Sequence, residues 1–102
     1  GKRSGQGRCY FANGDMYVGE FRNNTIYGFG RYYYNNGNVF EGNFLVGKRH
    51  GRGKYQYNDG RVEIFRYFED VRVREGVRWS KDRKKAWRLK ENNKVKGKIG
   101  IE

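Results

Sequence analysis

The chain has no proline and only one cysteine, one histidine and one methionine in 102 residues. One cysteine excludes an internal disulfide, and the expected compartment is reducing and cytoplasmic. A single histidine, with carboxylates at no paired spacing to a nucleophile or metal ligand, leaves no catalytic or metal site to argue and no cofactor to expect. No apolar run approaches the roughly 18 residues of a membrane-spanning helix. Acidic residues are few, 11 against 23 lysines and arginines, for a formal net charge of +12. The chain is instead rich in glycine, 16 residues, and in aromatics, 18%.

The glycines fall on a lattice with a period of 23 residues: Gly5/Gly28/Gly51, Gly7/Gly30/Gly53 and Gly14/Gly37/Gly60. Glycine this dense would read as a flexible linker if it were aperiodic, whereas fixed spacing gives each one a defined backbone role in a repeat. Asn13-Gly14, Asn36-Gly37 and Asp59-Gly60 are the dipeptides favoured in type I′ hairpin turns, so each repeat is expected to be a β-hairpin. Aromatic and β-branched residues on both sides of each turn agree.

With two-residue turns, residue 10 would face 17 and residue 8 would face 19. One face would then carry Tyr10, Tyr17, Gly19 and Phe21, and in the next repeat Tyr33, Phe40, Gly42 and Phe44. Glycine between two aromatics would leave room for neighbouring rings to stack from hairpin to hairpin, with Tyr17, Phe21, Phe40, Phe44 and Tyr67 as the stacking residues. The opposite face would carry Cys9, Phe11, Met16 and Val18, then Tyr32, Tyr34 and Val39, then Tyr55, Tyr57, Val62 and Ile64. On a single-layer sheet that second face is partly exposed, which makes Tyr32, Tyr34, Tyr55 and Tyr57 candidate anchors for a protein partner. Cys9 is expected to be a packed side chain rather than a nucleophile.

Tyr17-Val-Gly19-Glu-Phe21, leading to Gly28-Phe-Gly30 and Asn36-Gly37, resembles the MORN repeat. So does Phe40-Glu-Gly42-Asn-Phe44-Leu-Val-Gly47-Lys-Arg-His-Gly51-Arg-Gly53, leading to Asp59-Gly60. The likeness extends over residues 1 to about 80 and weakens in the last unit, where Glu63 and Phe65 stand at the positions of Tyr17 and Gly19. A degenerate final repeat suits a solenoid cap. Gly1-Lys-Arg-Ser-Gly-Gln-Gly7 copies Gly47-Lys-Arg-His-Gly-Arg-Gly53, so the chain is expected to begin within a repeat, with further repeats upstream.

The resemblance implies an all-β fold, an elongated antiparallel β-meander of stacked hairpins. It also implies a role in membrane-adjacent or cytoskeletal assemblies and self-association in some members. Other members carry the repeats beside a catalytic domain, lipid kinases and a protein methyltransferase among them. A non-catalytic scaffold for protein partners is therefore the first expectation, and a targeting or regulatory module of a larger enzyme, such as a phosphoinositide kinase, is the alternative.

Residues 77–102 hold ten cations against three acids, while residues 1–76 hold thirteen against eight. This basic end, residues 81–102, is expected to be a hairpin continuing the repeat sheet, with Glu91-Asn92-Asn93 as its turn; a helix over Lys81 to Lys90 is the rival. The glycine lattice stops at Gly76. Arg83, Lys84, Lys85, Arg88, Lys94, Lys96 and Lys98 are candidate contacts for acidic phospholipid, or a charged guard on an open sheet edge. Tyrosines interleaved with cations also resemble single-strand stacking platforms, but packing between repeats accounts for them, so nucleic acid is the least favoured partner.

Gly42-Asn-Phe-Leu-Val-Gly47-Lys48 matches phosphate-loop spacing, yet Arg49 stands where Ser or Thr would bind Mg²⁺, and the segment joins strands. His50 replaces Ser4 and Tyr27 of the other repeats and is expected in a partly exposed loop. Asn23-Asn24-Thr25 is a sequon with nothing else pointing to secretion. Because a β-branched residue resists positive φ, Gly37→Val is expected to lower stability by more than about 1 kcal/mol in thermal or denaturant unfolding. Unchanged stability would mean that Gly37 is not in a tight turn.

Overall fold

The computed structural model describes residues 4–90 and 95–99, with side chains at all of these except residue 74 and residues 95–99. The strands among them are β1 (Gly5–Tyr10), β2 (Met16–Arg22), β3 (Thr25–Tyr33), β4 (Val39–Leu45) and β5 (Lys48–Gln56), then β6 (Val62–Phe68), β7 (Val71–Trp79), β8 (Ala86–Leu89) and β9 (Val95–Ile99). They form one antiparallel sheet in chain order, the expected all-β meander, with extents of 51 × 24 × 23 Å. β8 occupies the segment where a helix was the rival reading. The turn expected at Glu91-Asn92-Asn93, and Lys94 beside it, lie outside the described residues.

The hairpin turns differ from expectation in a way that reverses the faces. Gly14 N donates to Phe11 O (3.1 Å) and Phe11 N to Asp15 O (2.9 Å), and only Gly14 of the loop has positive φ, at 93°. The connection is therefore a three-residue loop, a type I turn followed by a left-handed glycine, as it is again at Gly37 and Gly60. The type I′ turns lie at the opposite end of the sheet: Asn23-Asn24, Val46-Gly47 and Glu69-Asp70 all have positive φ at both residues.

One extra loop residue moves the register so that Cys9 pairs with Tyr17 and Tyr10 with Met16. Side chains alternate across a strand, so that single step exchanges faces. Cys9, Phe11, Tyr32, Tyr34, Tyr55 and Tyr57 share the inner face with Tyr17, Phe40 and Phe44. Tyr10 and Tyr33 move to the outer face with Met16, Val18, Val39, Val62 and Ile64.

Tyr17, Phe21, Phe40, Phe44, Phe65, Tyr67 and Leu89 form the core, each at most 6% exposed. Their rings meet edge to face at centroid distances of 5.2 to 5.4 Å, from Tyr17–Phe21 through Tyr17–Phe44 and Phe40–Phe44 to Phe40–Tyr67. This is the preferred geometry of aromatic quadrupoles, each pair adding about 0.5–1.5 kcal/mol beyond burial.

The rings are seated on glycine. A Cβ on Gly30 would come within 2.6 Å of Tyr17 Cε1, and one on Gly42 would lie 3.0 Å from Phe40 Cζ. In the last unit a Cβ on Gly76 would lie 2.5 Å from Phe65 Cδ1. Phe65 thus supplies the ring that the Tyr17 position, occupied there by Glu63, does not. Bulges recur near Gly19, Gly42 and Phe65, the same place in each repeat. Bulges bend and twist strands, and three at one period curl the sheet over its inner face, so a single layer buries Tyr17 and Phe40 almost completely.

Val46 is a β-branched residue at φ 48° in an exposed turn, where Asn23 holds the equivalent position at φ 49°. The left-handed region costs a side chain such as valine about 1–2 kcal/mol, and asparagine less. Val46→Asn is expected to raise unfolding stability by about 1 kcal/mol, and a destabilised variant would show that the valine makes a contact outweighing its backbone strain.

Candidate functional site

The four tyrosines expected to anchor a partner lie together on the inner face. Phe11, Tyr32, Tyr34, Tyr55 and Tyr57 form an unbroken row with successive centroid distances of 5.6, 4.8, 5.6 and 5.0 Å. The row flanks the buried core on the side of the three-residue loops, and every ring in it is half-buried. Its members are therefore less exposed than an opposite-face placement would make them.

Three of the hydroxyls are engaged. Tyr32 donates to Asp15 Oδ2 (2.8 Å), Tyr55 accepts from Asn38 Nδ2 (3.0 Å), and Tyr57 donates to Glu63 Oε1 (2.6 Å). The Tyr34 hydroxyl makes no hydrogen bond among the described residues, and burial, opposed by the nearby Arg49, pushes its pKa up to about 12. It is left as a neutral donor beside the ring row.

A ladder of amides and carboxylates holds this end of the sheet. The buried Asp15 takes Asn35 N on Oδ1 (2.8 Å), and the buried Asn38 takes Asn58 N in the same way (2.9 Å). Asn35 Nδ2 reaches back to Asn13 O (2.6 Å), and Asn58 Nδ2 to Asn36 O (2.8 Å). Each loop is thereby tied to the one before it, one period away. The Tyr32 hydroxyl first, and the amides of Asn35 and Asn13 with it, hold the Asp15 carboxyl below the usual range against the opposing effect of burial.

These residues were absent from the sequence-based candidates, although the 23-residue spacing of Asn35 and Asn58, and of Asp15 and Asn38, was there to find them. The same spacing leads to Asp82, whose Oδ1 accepts from Lys84 N (2.9 Å) as Asn13 Oδ1 does from Asp15 N (3.0 Å). The lattice therefore outlasts Gly76, with Arg83 at the glycine position in a left-handed conformation, φ 64°.

Arg83, a candidate lipid contact, is committed to that turn. Its Nη1 donates to Gly60 O (2.7 Å), Ser80 O and Lys81 O (3.1 Å each). Lys84 and Lys85 are exposed in the same turn, and Arg88 is exposed on β8 facing Val77. The side chains of Lys96 and Lys98 lie outside the described residues, as Lys94 does. Cys9 packs partly against the core. His50 lies within β5, not in a loop, with its ring 5.3 Å from Phe68 and its Nδ1 buried without a hydrogen-bond partner among the described residues. Gly42 to Lys48 spans β4, a hairpin turn and the start of β5, with no helix for a phosphate to cap.

The MORN repeat model matches the chain three times, over residues 1–16, 17–39 and 40–60. The chain belongs to the MORN-repeat family. The matched residues carry the first two ring-on-glycine seats and all three Asn/Asp-Gly loops, so the MORN pattern here is mainly a packing pattern. No curated protein matches the chain.

The MORN lattice is broken most sharply at Glu63, which is 0% exposed on the inner face. Arg72 Nη2 meets its Oε1 at 2.6 Å, and Arg78 Nη2 meets its Oε2 at 2.7 Å. Burial works to raise the Glu63 pKa, but the Tyr57 hydroxyl and the two guanidinium groups outweigh it and hold it below the usual carboxylate range.

A carboxylate depressed in the folded state stabilises the fold above its unfolded-state pKa and loses that stabilisation as pH falls through the folded value. Stability is therefore expected to drop on acidification below the ordinary carboxylate range. Glu63→Ala, which strands two guanidinium groups, is expected to cost about 3–5 kcal/mol at neutral pH and to flatten the acid limb of a stability-versus-pH curve. An unchanged acid limb would show that folding does not lower the Glu63 pKa.

Proposed function

We propose that the chain is a non-catalytic scaffold that holds a protein partner on the inner-face row Phe11, Tyr32, Tyr34, Tyr55 and Tyr57. The observation that carries this reading is the continuity of the row. Five half-buried rings run across repeats, and the Tyr34 hydroxyl is left over as a donor. Rings already fixed by packing and by the Asp15, Asn38 and Glu63 contacts lose little entropy on binding, a property of good aromatic anchors. An apolar segment with an acceptor for Tyr34 fits this surface. A basic, single-cysteine chain acting this way suits a reducing compartment, in the cytoplasm or at a cytoskeletal or membrane periphery.

Acidic phospholipid is the weaker reading, because Arg83 is spent on its own turn and on Gly60 of the loop before it, and Lys84 and Lys85 contribute only about 1 kcal/mol each at a membrane surface. A photo-crosslinking amino acid placed at Tyr34, with a control at Tyr10 on the outer face, tests the proposal in cell extract. Protein adducts specific to position 34 are expected, while adducts at position 10 alone, or at neither, would refute it. Sedimentation with phosphatidylserine or phosphoinositide vesicles at physiological salt, if strong and lost in Lys84→Gln/Lys85→Gln, would make the membrane reading the better one.

A further inference from the structure

The outer face carries an unsatisfied electrostatic arrangement that the inner-face reading does not use. Arg52 on β5 stands directly opposite Arg66 on β6, both exposed. Neither arginine forms an ion pair among the described residues; the described pairs join Arg31–Glu41, Arg49–Asp70, Arg61–Asp59, and Arg72 and Arg78 to Glu63. Like charges directly opposite across two strands destabilise a sheet. Lys54, exposed and unpaired in the same sense, stands on this face two residues from Arg52.

These cations line shallow clefts with apolar walls. Arg52, Lys54, Ile64, Phe29 and Glu41 border one of 370 Å³. Arg52, Arg66, Ile64, Val77 and Glu75 border a second of 270 Å³. Lys54, Val62, Ile64, Trp79 and Arg83 border a third of 270 Å³. Ile64 lines all three, so the clefts adjoin one another around it, and together they make a trough across β4 to β7.

We infer that this trough is a second docking surface, taking an acidic segment of a protein partner whose carboxylate sits between Arg52 and Arg66 and whose aliphatic side chain rests against Ile64, Val62 and Trp79. Two arginines on paired positions of neighbouring strands, lining one cleft, suit a carboxylate, which accepts planar paired hydrogen bonds. The apolar walls call for aliphatic side chains beside the charge. Glu41 and Glu75 also line the clefts and disfavour a continuous phosphate backbone, where separated carboxylates can avoid them. A surface that keeps a destabilising cation pair for binding is a known trade between stability and function.

The probe is a synthetic glutamate-rich peptide with interspersed leucines. It is compared with leucine-free polyglutamate of equal length, an oligothymidylate and phosphatidylserine vesicles, all against the whole chain. The leucine-bearing peptide is expected to bind most tightly, and Arg52→Gln/Arg66→Gln to weaken it at least about tenfold. Arg66→Glu, which converts the repulsion into a cross-strand pair, is expected to abolish binding while raising Tm by about 2–4 °C. A fall in Tm in either variant would make the arginines structural and overturn the inference. So would undiminished peptide binding in both variants, tighter binding of the oligothymidylate or vesicles, or loss of peptide binding in Tyr34→Ala rather than in the arginine variants. That last result would place the peptide on the inner row and leave the scaffold reading intact.

Discussion

The fold depends on rings that lie against bare backbone. Tyr17 sits over Gly30, Phe40 over Gly42 and Gly53, and Phe65 over Gly76, and a methyl group at those glycines would overlap the ring. This contact replaces the second layer that most sheets need in order to bury one face. Glycine has no side chain for the ring to displace, and each ring also offers its edge to the next, so burial propagates from repeat to repeat without a central core. The bulges at the same period bend the sheet around the rings, which explains burial near 0% in a single layer.

Charge is distributed in accord with that geometry. The carboxylates and amide buried on the inner face are satisfied: Asp15 and Asn38 join loops to tyrosines, and Glu63 is held by Tyr57, Arg72 and Arg78. The outer face contributes less to burial and keeps cations such as Arg52, Lys54 and Arg66 without carboxylate partners among the described residues. Glu63 also shows how a repeat can end. Once a carboxylate takes the place of the ring, the stack is continued by Phe65 one pleat further on, and the next strand, β7, contributes both arginines that neutralise it.

Much of this was legible in the chain itself. Gly30 and Gly53 repeat at the period of Tyr17 and Phe40, which cover them, and Asn-Gly and Asp-Gly place the loops, so hairpins, chain-order pairing and these stacking residues follow from spacing and steric volume. Phe65 over Gly76 falls two residues beyond that period. The polar ladder was equally periodic in Asn35 and Asn58 but less conspicuous, since asparagine in a loop has many uses and only the neighbouring loop, a whole repeat away, shows which one applies. Arg83 was masked for a related reason: it takes a glycine position in a left-handed turn, and composition alone counts it as one more surface cation.

Period, hairpin identity and ring-on-glycine complementarity were determined by the sequence, because they depend on residue volume and on backbone preferences that act locally. The assignment of faces was decided only in the tertiary structure. Asn13-Gly14 is compatible with a two-residue type I′ turn or with the tail of a three-residue loop, and the structure adopts the second, with Asp15 buried and bonded to Asn35 and Tyr32 in the next repeat. Since side chains alternate with a period of two, that one residue in the loop decided whether Tyr34 faces the core or the solvent, and with it which surface is left to meet a partner.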